Sequence, residues 1–158
     1  MLIPEWGHWL PVLDGDARVS ALYHRHYSAY EYVDGRHKNL SNPYRHLVVG
    51  VGQRMVLLSV DSCAAFIWRF SEFSHEAGIE CSFFRNEKAY GGTVLSSQLI
   101  LEAEQLAMLK WDKATRFFTY VNTHSVGGDG FCFKKAGWKK VGRSKKQNLL
   151  ILEKVISR

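Results

Sequence analysis

The chain has 158 residues, 46% apolar and 23% charged, a balance that suits one globular domain built on a single core. No apolar run approaches the roughly 20 residues that a membrane helix needs, and residues 1–6 lack the basic start and apolar stretch of a secretory leader. The net charge of +6 is unevenly placed: residues 134–158 carry nine Lys or Arg against Glu153 alone, which leaves the other 133 residues at −2. A basic quarter on a near-neutral body points to a polyanion partner such as nucleic acid, or else to a solvated, solubilising edge. Cys63, Cys81 and Cys132 are widely spaced and form no CxxC pair. Reduced, buried thiols of a cytoplasmic protein are therefore expected, with neither a zinc knuckle nor a disulfide framework.

Residues 1–14, with Trp6, Trp9 and two prolines, show no regular pattern. Asp14-Gly15-Asp16 offers an N-cap for a helix over residues 17–23, with Val19, Leu22 and Tyr23 on one side. The stretch 23–32 then holds four Tyr, two His and Arg25, a composition unsuited to a dry core because each ring carries a polar end that needs a partner. His24 and His26 lack a third donor at a recognisable spacing, so no metal site is expected. The cluster reads as a wet surface that stacks bases or positions a substrate, or as structural hydrogen bonding.

Residues 34–45 form a long basic loop with Arg36, Lys38 and Arg45 against Asp34, and loops of that length are often functional. Residues 46–51 and 54–60 are expected to form a hairpin about Gly52-Gln53, with a further strand at 64–70 after a turn at Asp61-Ser62. A buried strand is predicted at 79–84, a Gly-containing loop at 85–95, and a helix at 96–112 capped by Ser96 or Ser97. Its apolar stripe is Leu99, Ile100, Ala103, Leu106 and Ala107, with Glu102, Glu104 and Lys110 pointing out. A strand at 116–122, a short helix at 131–136 closed by Gly137, and paired strands at 138–143 and 148–155 complete the chain.

The order implies an α/β (α+β) domain spanning 1–158, a mixed twisted sheet flanked by helices, expected to be mostly parallel. Its central feature is the join between the 79–84 strand and the 96–112 helix. Arg85, Gly91, Gly92, Ser96 and Ser97 lie at that join, where two glycines let the backbone approach a ligand and a helix N-terminus favours phosphate. Asn122 ends the next strand, where open α/β sheets tend to bind ligands.

This order of elements resembles the GNAT acetyltransferase fold, most sharply at Gly130-Phe131-Cys132-Phe133-Lys134-Lys135-Ala136-Gly137-Trp138. The resemblance implies acetyl-CoA as cofactor, with its pyrophosphate cradled by the 85–97 loop. The usual Gln/Arg-x-x-Gly-x-Gly/Ala signature is altered here, with Gly91-Gly92 six residues after Arg85. A narrower likeness covers residues 25–143. Arg25-His26-Tyr27-Ser28, Phe84-Arg85-Asn86-Glu87, Leu95-Ser96-Ser97, Thr119-Tyr120-Val121-Asn122 and the 130–137 block recur in that order in the Mom family of bacteriophage DNA-modifying enzymes.

The Mom resemblance implies conversion of adenine in double-stranded DNA to an N6-carbamoylmethyl derivative, in the host bacterial cytoplasm, as protection against restriction. Asn122 and Phe131 stand where that family favours an Asp and a Tyr, which puts proton transfer at those positions in question. Such chemistry requires a flipped base. His26, Tyr27, Tyr120 and Asn122 are the expected catalytic residues, with His124 as a further candidate. Arg36, Lys38, Lys139, Lys140, Arg143, Lys145 and Lys146 are the expected DNA contacts. No membrane partner is expected, and a homodimer stays open. Two rival readings are an ordinary GNAT enzyme acting on a small amine or a protein, and a non-catalytic DNA-binding module.

Overall fold

The computed structural model describes residues 7–25, 47–123 and 130–157. In chain order these form β1 (Trp9–Val12), α1 (Ala17–His24), β2 (Gln53–Ser59), β3 (Ala64–Phe70), β4 (Ile79–Asn86), α2 (Ser96–Lys110), β5 (Arg116–Val121), α3 (Phe131–Lys135), β6 (Lys139–Arg143) and β7 (Leu150–Val155). The strands make one sheet in the order β1-β2-β3-β4-β5-β7-β6.

The sheet is mixed but not mostly parallel. Only β4 and β5 run parallel, and every other adjacent pair is antiparallel. The α2 crossover forces that one parallel pair, whereas the other neighbours are joined by turns or by longer returns. β1 was not legible in the sequence because Pro11 interrupts the strand pattern. As an edge strand facing β2 on one side only, it tolerates the missing N–H. The hairpin expected between residues 46–51 and 54–60 does not form. β2 pairs with β1 and β3, so no edge is left for the preceding segment. Val48 and Val49 are held by Asp14 instead: its carboxylate accepts their N–H groups at 2.9 and 3.2 Å and pairs with Arg54.

The two faces of the sheet carry two cores. On one, Leu99, Ile100, Ala103, Leu106 and Ala107 of α2 pack on Trp9, Phe66, Trp68, Ile79 and Cys81, with Phe133 and Trp138 alongside. On the other, Val19 and Leu22 of α1 cover Val56, Leu58, Ala65, Ile67 and Phe83. Buried indoles need a hydrogen-bond partner, and three of them find it on α2. Trp9 Nε1 donates to the Leu99 carbonyl (2.9 Å), Trp68 Nε1 to the Ala103 carbonyl (2.8 Å), and Trp138 Nε1 to Glu104 Oε2 (3.0 Å). Glu104 is therefore buried, contrary to the outward position expected of it. Lys154 Nζ on β7 pairs with it at 2.7 Å and also donates to the Ala136 carbonyl, locking α2 to the far half of the sheet.

Candidate active site

β4 and β5 are paired over only three residues, Ile79↔Phe117, Glu80↔Phe118 and Cys81↔Thr119. Thr119 Oγ1 donates to the Cys81 carbonyl at 2.8 Å in that last pair. Beyond it β4 stays with β3 as far as Asn86, and β5 stays with β7 as far as Val121, so the two strands part company. The cause lies in β4. Ile67 faces Phe83 but Trp68 faces Cys81, which leaves Ser82 as an extra, exposed residue, and a bulge of that kind bends its strand. The result is a sheet with a cleft between two strand ends, where β4 and β5 no longer bond to each other.

The mouth of this cleft is the loop between β4 and α2. β4 runs to Asn86, so Arg85 and Asn86 belong to the strand and not to the loop. A 3-10 turn, Ala89–Gly92, follows, in which Tyr90, Gly91 and Gly92 take left-handed conformations with φ of 57°, 66° and 81°. A Cβ added at Gly91 or Gly92 meets nothing within 4 Å, so both face open space.

Long-range bonds hold this strained turn. Asp61 Oδ2 accepts the Tyr90 N–H at 2.6 Å. The Tyr90 hydroxyl donates to the His8 carbonyl and accepts from the Val60 N–H. Burial works to raise the Asp61 pKa, but its bonds to Ser59, Tyr90 and Cys63 outweigh that and hold it below the usual carboxylate value. Asn86 closes the other side: its Oδ1 accepts from the Ala89 N–H and its Nδ2 donates to Ser96 Oγ at 3.0 Å. Neither serine caps the helix. Leu95 is the N-cap residue, and Ser96 is the first residue inside. The first intrahelical acceptor, the Leu95 carbonyl, serves Gln98 and Leu99, which leaves the N–H groups of Ser96 and Ser97 outside the ladder and available to an anion. Asp61, Tyr90 and Asn86 were missed in the sequence. The one signal for Tyr90 was its place directly before Gly91-Gly92.

Tyr120 is the first β5 residue past the last paired position. It packs edge-to-face on Phe118, and burial together with Glu80 and Glu76 pushes its hydroxyl pKa up. At neutral pH it is a donor and not a base. Asn122, just past β5, is buried. Cys81 and Cys132 are both pushed up by burial, and so stay thiols. Phe131, the first residue of α3, is exposed with Lys135 Nζ 5.7 Å from its ring centroid. It follows Gly130, where any Cβ would fall 2.5 Å from Leu152 Cδ1.

Arg85 Nε donates to Glu87 Oε2 at 2.6 Å, and Arg25 reaches the same carboxylate through Nε and Nη2. Lys139, Lys140, Arg143, Lys145 and Lys146 are all exposed along β6, the outermost strand, and the turn that follows it. His26, Tyr27, Arg36, Lys38 and His124 lie outside the described residues. Among the described residues no group of His, Cys, Asp or Glu is placed to hold a metal, and no helix is long and apolar enough to cross a membrane. A surface pocket of about 210 Å³ lined by Gln53, Phe70 and Phe73 lies at the other end of β2 and β3, away from the cleft.

The fold as a whole is shared with known structures. The GNAT domain of S. lividans PAT superposes with a TM-score of 0.58 at 17% identity, covering 94% of this chain and 89% of that one. The chain has the GNAT acetyltransferase fold. Ribosomal-protein-S5-alanine acetyltransferase from Vibrio fischeri gives 0.57 at 12% identity over 98% of this chain and 97% of that one. Spermidine N-acetyltransferase from Vibrio cholerae, in complex with CoA and spermine, gives 0.54 at 13% over 93% and 94%. No protein-family model matches the sequence, and no curated protein does.

The residues present fit a CoA-like ligand. Gly91 and Gly92 open to solvent, the Ser96 and Ser97 N–H groups are unclaimed by the helix, and β5 no longer pairs with β4 beyond Cys81.

Proposed function

We propose that this chain is an acyl-CoA-dependent transferase that takes acetyl-CoA in the β4–β5 cleft and acts on adenine in duplex DNA. The observation that carries the reading is the parting of β4 and β5 after Cys81 and Thr119, directly beside the left-handed turn and the start of α2. A diphosphate suits that turn because backbone N–H groups and the positive end of the α2 dipole converge there. The edge of β4 that β5 leaves past Cys81 suits an extended amide-bearing arm, which can bond to it as a strand does. Acetyl-CoA supplies an activated thioester carbonyl.

The DNA acceptor is supported by the exposed basic row on β6 and its turn, where Lys139, Lys140, Lys145 and Lys146 have no ion-pair partner among the described residues. Cations unclaimed within the fold are free to meet phosphates. An ordinary GNAT enzyme acting on a small amine or a protein is the second reading, supported by the likeness to the spermidine and S5-alanine acetyltransferases.

One experiment separates them. Nucleosides from the DNA of cells expressing the protein are analysed by mass spectrometry. A mass increment on deoxyadenosine, lost in the Gly91→Val, Gly92→Val double variant, is the expected result. Acetyl-CoA binding with unmodified DNA favours the small-amine or protein reading.

A further inference from the structure

Arg85 leaves the sheet on the face opposite α2. Its register partner is Ala65, a member of the α1-side core, whereas its neighbour Asn86 reaches Ser96 at the start of α2. The phosphate-suited turn and the Arg85 side chain are therefore served by opposite faces of the same strand. Arg85 is pinned at one point only, Nε to Glu87 Oε2 at 2.6 Å. Its Nη1 and Nη2, with four N–H donors, have no partner among the described residues, and the side chain is 32% exposed. Glu87 is already engaged by Arg25 through Nε at 2.9 Å and Nη2 at 2.7 Å, so two arginines share one carboxylate and the group carries a surplus positive charge. Past Cys81 no strand among the described residues pairs with β4 on its β5 side, so Arg85 stands beside the gap.

A guanidinium fixed at Nε has already lost much of its rotamer freedom, and it presents its Nη edge as a planar fork. That geometry matches two oxygens of one phosphate and does not match a lone amine or hydroxyl. We propose that Arg85 is the acceptor's anchor: its Nη pair receives a backbone phosphate of the nucleic acid beside the nucleotide being modified. The assignment rests on the nucleic-acid acceptor of the preceding subsection. It moves Arg85 from the cofactor's phosphates, where the sequence suggested it, to those of the acceptor. Glu87 is then a positioning residue that aims the fork.

The test uses the full chain, acetyl-CoA, and a short labelled DNA duplex with either native or neutral methylphosphonate linkages beside its adenines. Arg85→Gln is expected to weaken duplex binding by about tenfold or more at fixed salt, the scale of a lost charge-assisted hydrogen-bond pair. Its affinity for acetyl-CoA, read by calorimetry, stays at the wild-type value. Neutral linkages should cost the wild type a similar factor and cost Arg85→Gln almost nothing, because the two changes remove one contact.

Arg85→Lys keeps the charge beside Glu87 and loses the fork, so it should show the same loss and serves if the Gln variant folds poorly. Weakened acetyl-CoA binding, or an equal methylphosphonate cost in both proteins, overturns the proposal while leaving the DNA reading intact. A wild type that binds acetyl-CoA and no duplex overturns both.

Discussion

Thr119 Oγ1 donates to the carbonyl of Cys81 at 2.8 Å, and both residues are buried. The bond sits at the last register pair of β4 and β5, so it marks the point from which the cleft opens. Removing it loosens the junction of the two strands that the site depends on.

Thr119→Val keeps the shape of the side chain and deletes the donor. The Cys81 carbonyl loses its partner inside the core, a change that costs about 1–3 kcal/mol. Urea unfolding should show a lowered midpoint with an unchanged slope. An unaltered midpoint means that water or a backbone shift satisfies the carbonyl and that the junction does not rely on the hydroxyl.

Tyr90→Phe separates the turn's anchor from its ring. The ring and the Tyr90 N–H bond to Asp61 remain, but the His8 carbonyl and the Val60 N–H lose the hydroxyl. Stability should fall by about 1 kcal/mol, a typical net hydrogen bond. Acetyl-CoA affinity should fall with it, since the left-handed turn then has fewer bonds holding it. Calorimetric titration of both proteins reads the second effect, and equal affinities contradict it.

Glu87 gives the site an acid-sensitive element. The hydrogen bond from Arg25 is the largest influence on it. With Arg85 adding to that pull against a counteracting burial effect, the carboxyl is lowered from 4.5 to about 2. A carboxyl depressed by folding binds its proton less tightly in the folded chain than in the unfolded one. Its contribution is thus fully present above the unfolded value and lost as pH falls through the folded one. Screening at this partly exposed cluster reduces the worth of the network to about 1 kcal/mol. The thermal midpoint of wild type minus that of Glu87→Gln should shrink steadily between pH 5 and pH 2. A constant difference would falsify the assignment.

The strand–loop–helix join was legible because each part announces itself locally. A short apolar run marks β4, paired glycines mark the turn, and a 3.6-residue stripe marks α2. What stayed hidden depends on partners far along the chain. Glu104 reads as exposed because it is charged, and only Lys154 on β7 and Trp138 explain its burial. Tyr90 looks like an ordinary loop aromatic until its hydroxyl is found on His8, which belongs to a segment whose strand Pro11 conceals. The antiparallel remainder of the sheet could not be read either, because strand order depends on β7 inserting between β5 and β6.

Glu104 provides a stability test of opposite sign to Glu87. Burial raises its pKa, against the lowering effect of Lys154 and Trp138. The folded chain therefore holds this proton more tightly than the unfolded chain. Its contribution is full below the unfolded value and falls as pH rises through the raised one. Lys154→Met removes the counterion and leaves burial unopposed, so the variant should lose more stability at pH 8 than at pH 5. Glu104→Ala should cost about 2–3 kcal/mol, below the ~3–5 kcal/mol of a fully buried broken pair because Lys154 can turn partly to water. Equal losses for Lys154→Met at both pH values contradict the buried-carboxylate account.

The basic edge makes a quantitative claim about DNA. Lys139, Lys140, Arg143, Lys145 and Lys146 lie on the outermost strand and its turn, and all five are exposed. Arg143 spends one donor on the Asn148 carbonyl, which fixes the turn and leaves the rest of its guanidinium outward. Side chains so placed meet phosphates without reading bases, so the main binding term should be insensitive to sequence and governed by counterion release. If about four of them contact phosphates, log K against log salt should fall with a slope near −3.6. Replacing Lys145 and Lys146 together by Gln should make that slope shallower by about 2 and weaken all duplexes alike. A flat salt response in the wild type removes β6 from the DNA interface. A double variant that loses affinity for one sequence only means that these lysines read bases and do not merely hold the backbone.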